Sequence, residues 1–174
     1  MQRPCSVLAA SLQLGFGAAS ALDMTRWPIP QPMRDALNLA RKAAEADEVP
    51  VGAIVMLGQE IVGEGRNTPR TDHDPTAHAE IIALRDAARR LGNERLEGCE
   101  LWVTLEPCAM CAGAIAHARI AKLYYAASDP KGGAVEHGPR VFDHAQSLHR
   151  PQVYSGMGEA EAADLLKAFF AARR

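Results

Sequence analysis

At 174 residues, 48% of them hydrophobic and 23% charged, the chain has the length and composition of one soluble domain with a sizeable core. A net charge of −2 gives no overall electrostatic footprint for nonspecific nucleic-acid binding, so a nucleic-acid substrate must be held by a local basic patch. Four cysteines at this length exclude a disulfide scaffold and lean toward a reducing compartment, the cytoplasm.

The opening stretch, MQRPCSVLAASLQLGFGAASALD, has Arg3, an apolar middle and small residues before Leu22, the outline of a weak secretory signal. Ser11, Gln13 and Gly15 interrupt the apolar run, which is too short and broken to span a membrane. Residues 1–31 are read as an extension, disordered or produced by a start upstream of Met24, and residues 32–174 as the folded domain. Cys5 and Cys99 are read as incidental thiols.

QPMRDALNLARKAAEAD repeats apolar residues at helical spacing through Met33, Leu37, Ala40 and Ala44, with Pro32 tolerated in the first turn. VPVGAIVML and EIVGEG flank Gly58-Gln59 and predict a hairpin. Arg66 to Thr76, RNTPRTDHDPT, is dense in turn formers and reads as a loop. AHAEIIALRDAARRLG predicts a helix with Ile81, Ile82, Leu84 and Ala88 inward and Gly92 closing it. ELWVTL is a strand, CAMCAGAIAHARI a helix of small residues suited to close packing, and AKLYYAA another strand. Beyond a loop rich in Gly and Pro, PQVYSG is a short strand and EAEAADLLKAFFAARR an amphipathic closing helix. Helices alternating with strands after an initial hairpin predict α/β layers around a mixed five-stranded sheet.

Cys108 and Cys111 stand three apart at the start of a predicted helix, so both sulfurs project from its first turn. A helix N-terminus favours thiolates, which suits a metal and a redox pair equally. The fragment DPTAHAEII separates the two. It puts His78 and Glu80 at the head of another helix that also follows a loop, and helix heads can meet at one end of an α/β sheet. One imidazole and two thiolates make a three-ligand zinc shell, which in catalytic sites leaves a position for water. Glu80 is then placed beside the metal, handling protons. The bland alternatives are a capping His and a Glu that merely answers the helix dipole.

Together, His78-Ala-Glu80 and Pro107-Cys108-Ala-Met-Cys111 reproduce the H-x-E and P-C-x-x-C signature of the zinc nucleobase deaminases, a pattern recognised rather than deduced. From about Met33 to Phe170 the chain resembles the bacterial tRNA-specific adenosine deaminases. The segments carrying the likeness are EVPVGAIV, GEGRN, HDPTAHAEIIALRDA, LWVTLEPCAMCAGAIAHARI and DPKGGA.

The resemblance implies a cytidine-deaminase-like three-layer α/β/α sandwich, one zinc per subunit and a homodimer. It implies hydrolytic conversion of adenosine to inosine at the tRNA wobble position, by hydroxide generated at zinc while Glu80 shuttles protons. By the same resemblance Asn67 would hydrogen-bond the bound nucleotide, and Asp129 and Lys131 would approach its ribose and the RNA backbone. Their plainer readings are turns, before Thr68-Pro69 for Asn67 and at Asp129-Pro130. Val135 to Pro151 departs from the family: it carries His137, Arg140, His144, His149 and Arg150 where family members are more apolar. Those groups could serve RNA or simply be solvated, as could Arg66, Arg70 and His73. Two other functions are weighed: a deaminase of free bases or nucleosides (guanine or cytosine), and a non-catalytic zinc-stabilised binding module.

Overall fold

Pro32 falls in the first turn of helix α1 (Gln31–Glu45), where its missing amide costs nothing, and Met33, Ala36, Leu37, Ala40 and Ala43 recur along the buried face. The computed structural model describes residues 28–173. The leader-like stretch and Cys5 lie outside the described residues, and α1 begins one residue ahead of the domain start expected at 32.

Strands β1 (Gly52–Leu57) and β2 (Glu60–Arg66) form the expected hairpin across Gly58-Gln59, with Gly58 at φ +61°. They are followed by helix α2 (Ala79–Leu91), strand β3 (Glu100–Leu105), helix α3 (Ala109–His117) and strand β4 (Lys122–Ala127). A short edge strand β5 (Gln152–Ser155) and helix α4 (Glu159–Ala171) complete the domain. The five strands make one sheet in the order β2-β1-β3-β4-β5. β1 runs antiparallel to β2 and β3, while β3, β4 and β5 are mutually parallel, so the sheet is mixed, as expected.

Side-chain alternation along the strands builds two cores. Ala53, Val55, Leu101, Val103, Leu123 and Tyr125 face α2 and α3, whereas Ile54, Met56, Trp102 and Ala126 face α1 and α4. Helices on both faces of the sheet give the three-layer sandwich.

The inward face of α2 differs from the expected one. Ala79, Ala83 and Ala87 are fully buried, Ile81 and Leu84 nearly so, and Ile82 and Ala88 are only partly covered. The cause lies on β2. A Cβ at Gly65 would sit 2.1 Å from the carbonyl oxygen of Ala79, and one at Gly63 2.4 Å from that of Ala83. With no side chains in the way, the helix backbone rests directly on the strand, and only alanines fit the contact row.

Trp102, Tyr124 and Tyr154 occupy one register across β3, β4 and β5. Their rings stack at 3.8 Å and 9°, then at 4.8 Å and 14°. The long β4–β5 connection is anchored rather than loose: Val135 and Phe142 are buried in the core beneath α2 and α3, with Phe142 on a 3₁₀ turn (Val141–Asp143). Several of its basic groups are tied to the protein's own backbone. His144 Nε2 lies 2.7 Å from the Pro139 carbonyl, His149 Nε2 2.7 Å from that of Ile120, and Arg150 donates to the Asp143 carbonyl at 2.9 Å. His144, His149 and Arg150 are thus engaged on backbone carbonyls and hold the connection together.

Candidate active site

Two helix heads converge near the carboxyl end of β3, the end of a parallel sheet where ligands are usually bound. His78 is the N-cap of α2, in extended conformation, and its carbonyl accepts the first helical bond from Ile82 at 3.0 Å. Cys108 is the N-cap of α3 in the same conformation, with Ala112 donating to its carbonyl at 2.8 Å. Cys111, one turn on, is buried. Extended backbone at both caps turns the side chains off the helix axes and toward each other.

His78 Nδ1 lies 3.7 Å from Cys108 Sγ and 3.5 Å from Cys111 Sγ, and the three ligand atoms are mutually within 4.8 Å. Zn–N and Zn–S bonds of about 2.05 and 2.3 Å at a tetrahedral angle place nitrogen and sulfur about 3.6 Å apart. The trio therefore has the spacing of three corners of a tetrahedron, and it could hold a metal ion. Among the described residues no fourth His, Cys, Asp or Glu joins the group.

The protonation chemistry suits that role. Hydrogen bonds from Cys111 and His78 pull the Cys108 thiol down to about 4, so it is a thiolate at neutral pH. The bond to Cys108 pushes the Cys111 thiol up, since its proton is the one shared between the sulfurs. Cys108 likewise raises the imidazole of His78. Metal binding would release such protons. Glu80, in the first turn of α2, is 4% exposed, and burial pushes its carboxyl above the ordinary range. The charges of Cys108 and His78 act on it as well, so the buried carboxyl lies close to the ligand trio.

Asn67 is buried at the end of β2, beside His78. Its Oδ1 accepts from the Ala79 amide at 2.9 Å, and its own amide donates to the Val51 carbonyl at 3.1 Å. It thus caps α2 through its oxygen, which leaves the side-chain NH₂ for other partners. Asp129 follows β4 and forms the turn its Asp-Pro context suggests: Oδ1 accepts from the amides of Lys131 and Gly132 at 3.1 and 3.0 Å. Lys131 is exposed. Both border a groove of about 810 Å³ against α4, shared with Lys167, Phe170 and Arg173. His78, Glu80, Cys108 and Cys111 are thus brought together directly; Asn67 joins them through the head of α2; Asp129 and Lys131 sit on the adjoining segment.

The loop from Arg66 to Thr76 is also more constrained than its composition suggested. Arg66 donates to the Lys42 carbonyl at 3.1 Å, and Arg70 to the carbonyl and carboxylate of Asp47 at 2.8 and 2.6 Å. The amide and hydroxyl of Thr71 bind the buried carboxylate of Glu48 at 2.7 and 2.9 Å. Arg173, from the end of α4, stacks on Phe169 and also reaches Asp47, with Nε at 2.9 Å.

Reasoning from sequence missed Glu106, Glu48 and Asp47. Glu106 precedes Pro107-Cys108 and is almost fully enclosed, 3% exposed. Burial pushes it up, but the amides of His137, Asp129 and Glu136 outweigh burial, and its pKa lies below the ordinary carboxylate value. The one available signal was an acidic residue in an otherwise apolar strand end.

A mixed-sheet sandwich whose two helix heads bring together one imidazole, two sulfurs and a buried carboxyl is the architecture of a deaminase. The MafB19-like deaminase family matches residues 30–174, and the chain belongs to that family. A tRNA-specific adenosine deaminase of Agrobacterium fabrum is 52% identical over 142 residues, 82% of this chain and 93% of that protein. A structure solved in studies of A-to-I editing by tRNA:A34 deaminases superposes with a TM-score of 0.77 at 52% identity, covering 78% of this chain and 98% of that one. Guanine deaminase from Nitrosomonas europaea also matches, with a TM-score of 0.70 at 28% identity over 84% and 87% of the two chains.

Proposed function

We propose that the protein hydrolytically deaminates adenosine to inosine at the wobble position of tRNA anticodons, with His78, Cys108 and Cys111 holding one zinc ion. The observation that carries this is the buried Glu80 carboxyl against a three-ligand trio with no fourth ligand among the described residues. When bound, zinc lowers the pKa of water from 15.7 to about 7 and so supplies a nucleophile at neutral pH.

The chain's own residues do the rest. Glu80 accepts a proton from the attacking water and passes it to the ring nitrogen beside the amino-bearing carbon; it then takes the second proton from the hydroxyl now on that carbon and gives it to the departing amine, so that ammonia leaves and a carbonyl remains. Burial raises the Glu80 carboxyl, and a raised carboxyl holds a taken proton longer than an exposed one before returning it. Asn67, its oxygen committed to the Ala79 amide, offers its NH₂ to an acceptor on the base. Asp129 and Lys131 meet the ribose and the phosphate backbone. The target base enters unstacked, as a single-stranded loop allows and a duplex does not.

The deaminase domain spans residues 32–174 and works as a homodimer in the cytoplasm. No helix among the described residues is long and apolar enough to cross a membrane. An acidic protein is consistent with an RNA substrate because cations gather locally: Lys131, Lys167 and Arg173 border one groove.

The test pairs an adenosine-bearing anticodon stem-loop with free nucleosides and bases. Inosine formed in the RNA supports the reading; turnover confined to free bases would overturn it in favour of the second reading, which the likeness to a guanine deaminase motivates. Glu80→Ala should keep its zinc and lose about 10²–10⁴-fold in rate. Full retained activity would overturn the proton-shuttling role given to Glu80, and a wild-type protein inactive on every substrate would leave only a zinc-stabilised binding module.

A further inference from the structure

Glu106 has no part in the chemistry above, yet it is the most heavily coordinated carboxylate beside it. Its Oε1 accepts from three consecutive amides, Val135 at 3.1 Å, Glu136 at 2.8 Å and His137 at 3.0 Å. Its Oε2 accepts from the Asp129 amide at 3.0 Å and lies 2.7 Å from His137 Nδ1. A carboxylate only accepts, so His137 carries its proton on Nδ1 and every partner is a donor. Successive amides converging on one oxygen form an anion nest, here filled from within the chain.

The fit depends on Gly133. A Cβ there would lie 2.5 Å from the Glu106 carboxyl carbon and 2.5 Å from the Asp129 carbonyl oxygen. The next amide, Ala134, donates to the Pro107 carbonyl at 2.9 Å. The segment from Asp129 to His137 is therefore clamped at its beginning, middle and end onto Glu106-Pro107, the two residues that precede Cys108.

We propose that Glu106 is a positioning residue for the substrate: it docks the 129–137 segment onto the strand end that carries the metal ligands, and so sets where Asp129 and Lys131 meet the RNA. This rests on the deamination reading above. The carboxylate acts through the segment and touches neither base nor metal. Losing it loosens substrate capture and spares the chemical step.

Glu106→Gln keeps the shape but turns an NH₂ toward donors. With the anticodon stem-loop, KM should rise about tenfold while kcat stays within about threefold and zinc remains at one per chain. Gly133→Ala, which crowds the same carboxyl from the other side, should reproduce that signature, and the double variant should be no worse than the stronger single one, because both release one segment. His137→Ala removes a single contact and should raise KM less. If Glu106→Gln does not fold, Gly133→Ala and His137→Ala decide. KM unchanged in the folded variants, or zinc lost with kcat falling at constant KM, overturns the inference and shows a purely structural plug. A wild-type protein inactive on RNA overturns the underlying reading and this inference with it; wild-type activity on RNA with unchanged KM in the variants overturns this inference alone.

Discussion

Buried carboxylates cost several kcal/mol unless they are neutralised or surrounded by donors, and the protein uses both solutions within one site. Glu80 has few donors, so burial dominates and favours its neutral form. Glu106 is ringed by amides and stays charged. The first can move a proton; the second can only hold a shape. His78→Ala should accordingly lose stoichiometric zinc, read by elemental analysis, whereas Glu80→Gln should not. Asp47 offers a pH test. Arg173 and then Arg70 hold its carboxyl below the ordinary 3.8, so its contribution is present above that pH and fades as pH falls through the lowered value. Asp47→Asn should thus melt slightly below wild type at pH 7, with the difference shrinking as pH falls through the lowered value; an offset that does not shrink with acid would refute the clasp. The cluster of His78, Cys108, Cys111 and Glu80 was legible in the sequence because each lies in a short motif at a helix head. Glu106, Glu48 and Asp47 were not, because their donors come from segments far along the chain, and nothing in TLEPC names an amide of Val135.

Local pattern and turn residues placed the four α-helices and the strands of the hairpin and sheet centre, since periods of 3.6 and 2.0 residues are a local property, but they did not show the 3₁₀ turn at Val141–Asp143. Nor could they say which row of α2 faces inward at closest approach, because that row is set by glycines on another element. Gly65→Ala tests the point. Its Cβ cannot coexist with the Ala79 carbonyl at 2.1 Å, so α2 must shift. Overpacking of this kind costs about 1–3 kcal/mol, read by denaturant unfolding. Because α2 begins at Ala79, directly after His78, the same change should also weaken zinc binding. Gly58→Ala, at a turn with open space around it, should leave zinc affinity untouched and cost only turn strain.

The layered architecture followed from the order of elements, but the strand order and the parallel β5 did not, because a four-residue strand with mostly exposed side chains carries little pattern. Beyond the single chain, the proposed homodimer should give twice the chain mass in native mass spectrometry, and the mass of one chain alone would refute it. Chelation should lower the melting temperature, since an ion bound only by the native state stabilises it by mass action. The aromatic column across β3, β4 and β5 has an optical consequence. Light absorbed by Tyr154 can pass through Tyr124 to Trp102, so indole emission excited through tyrosine reports whether the edge of the sheet is zipped. Peeling away the outermost strand would darken that transfer before the rest of the molecule melts, giving the protein a built-in fluorescent gauge of its own fraying.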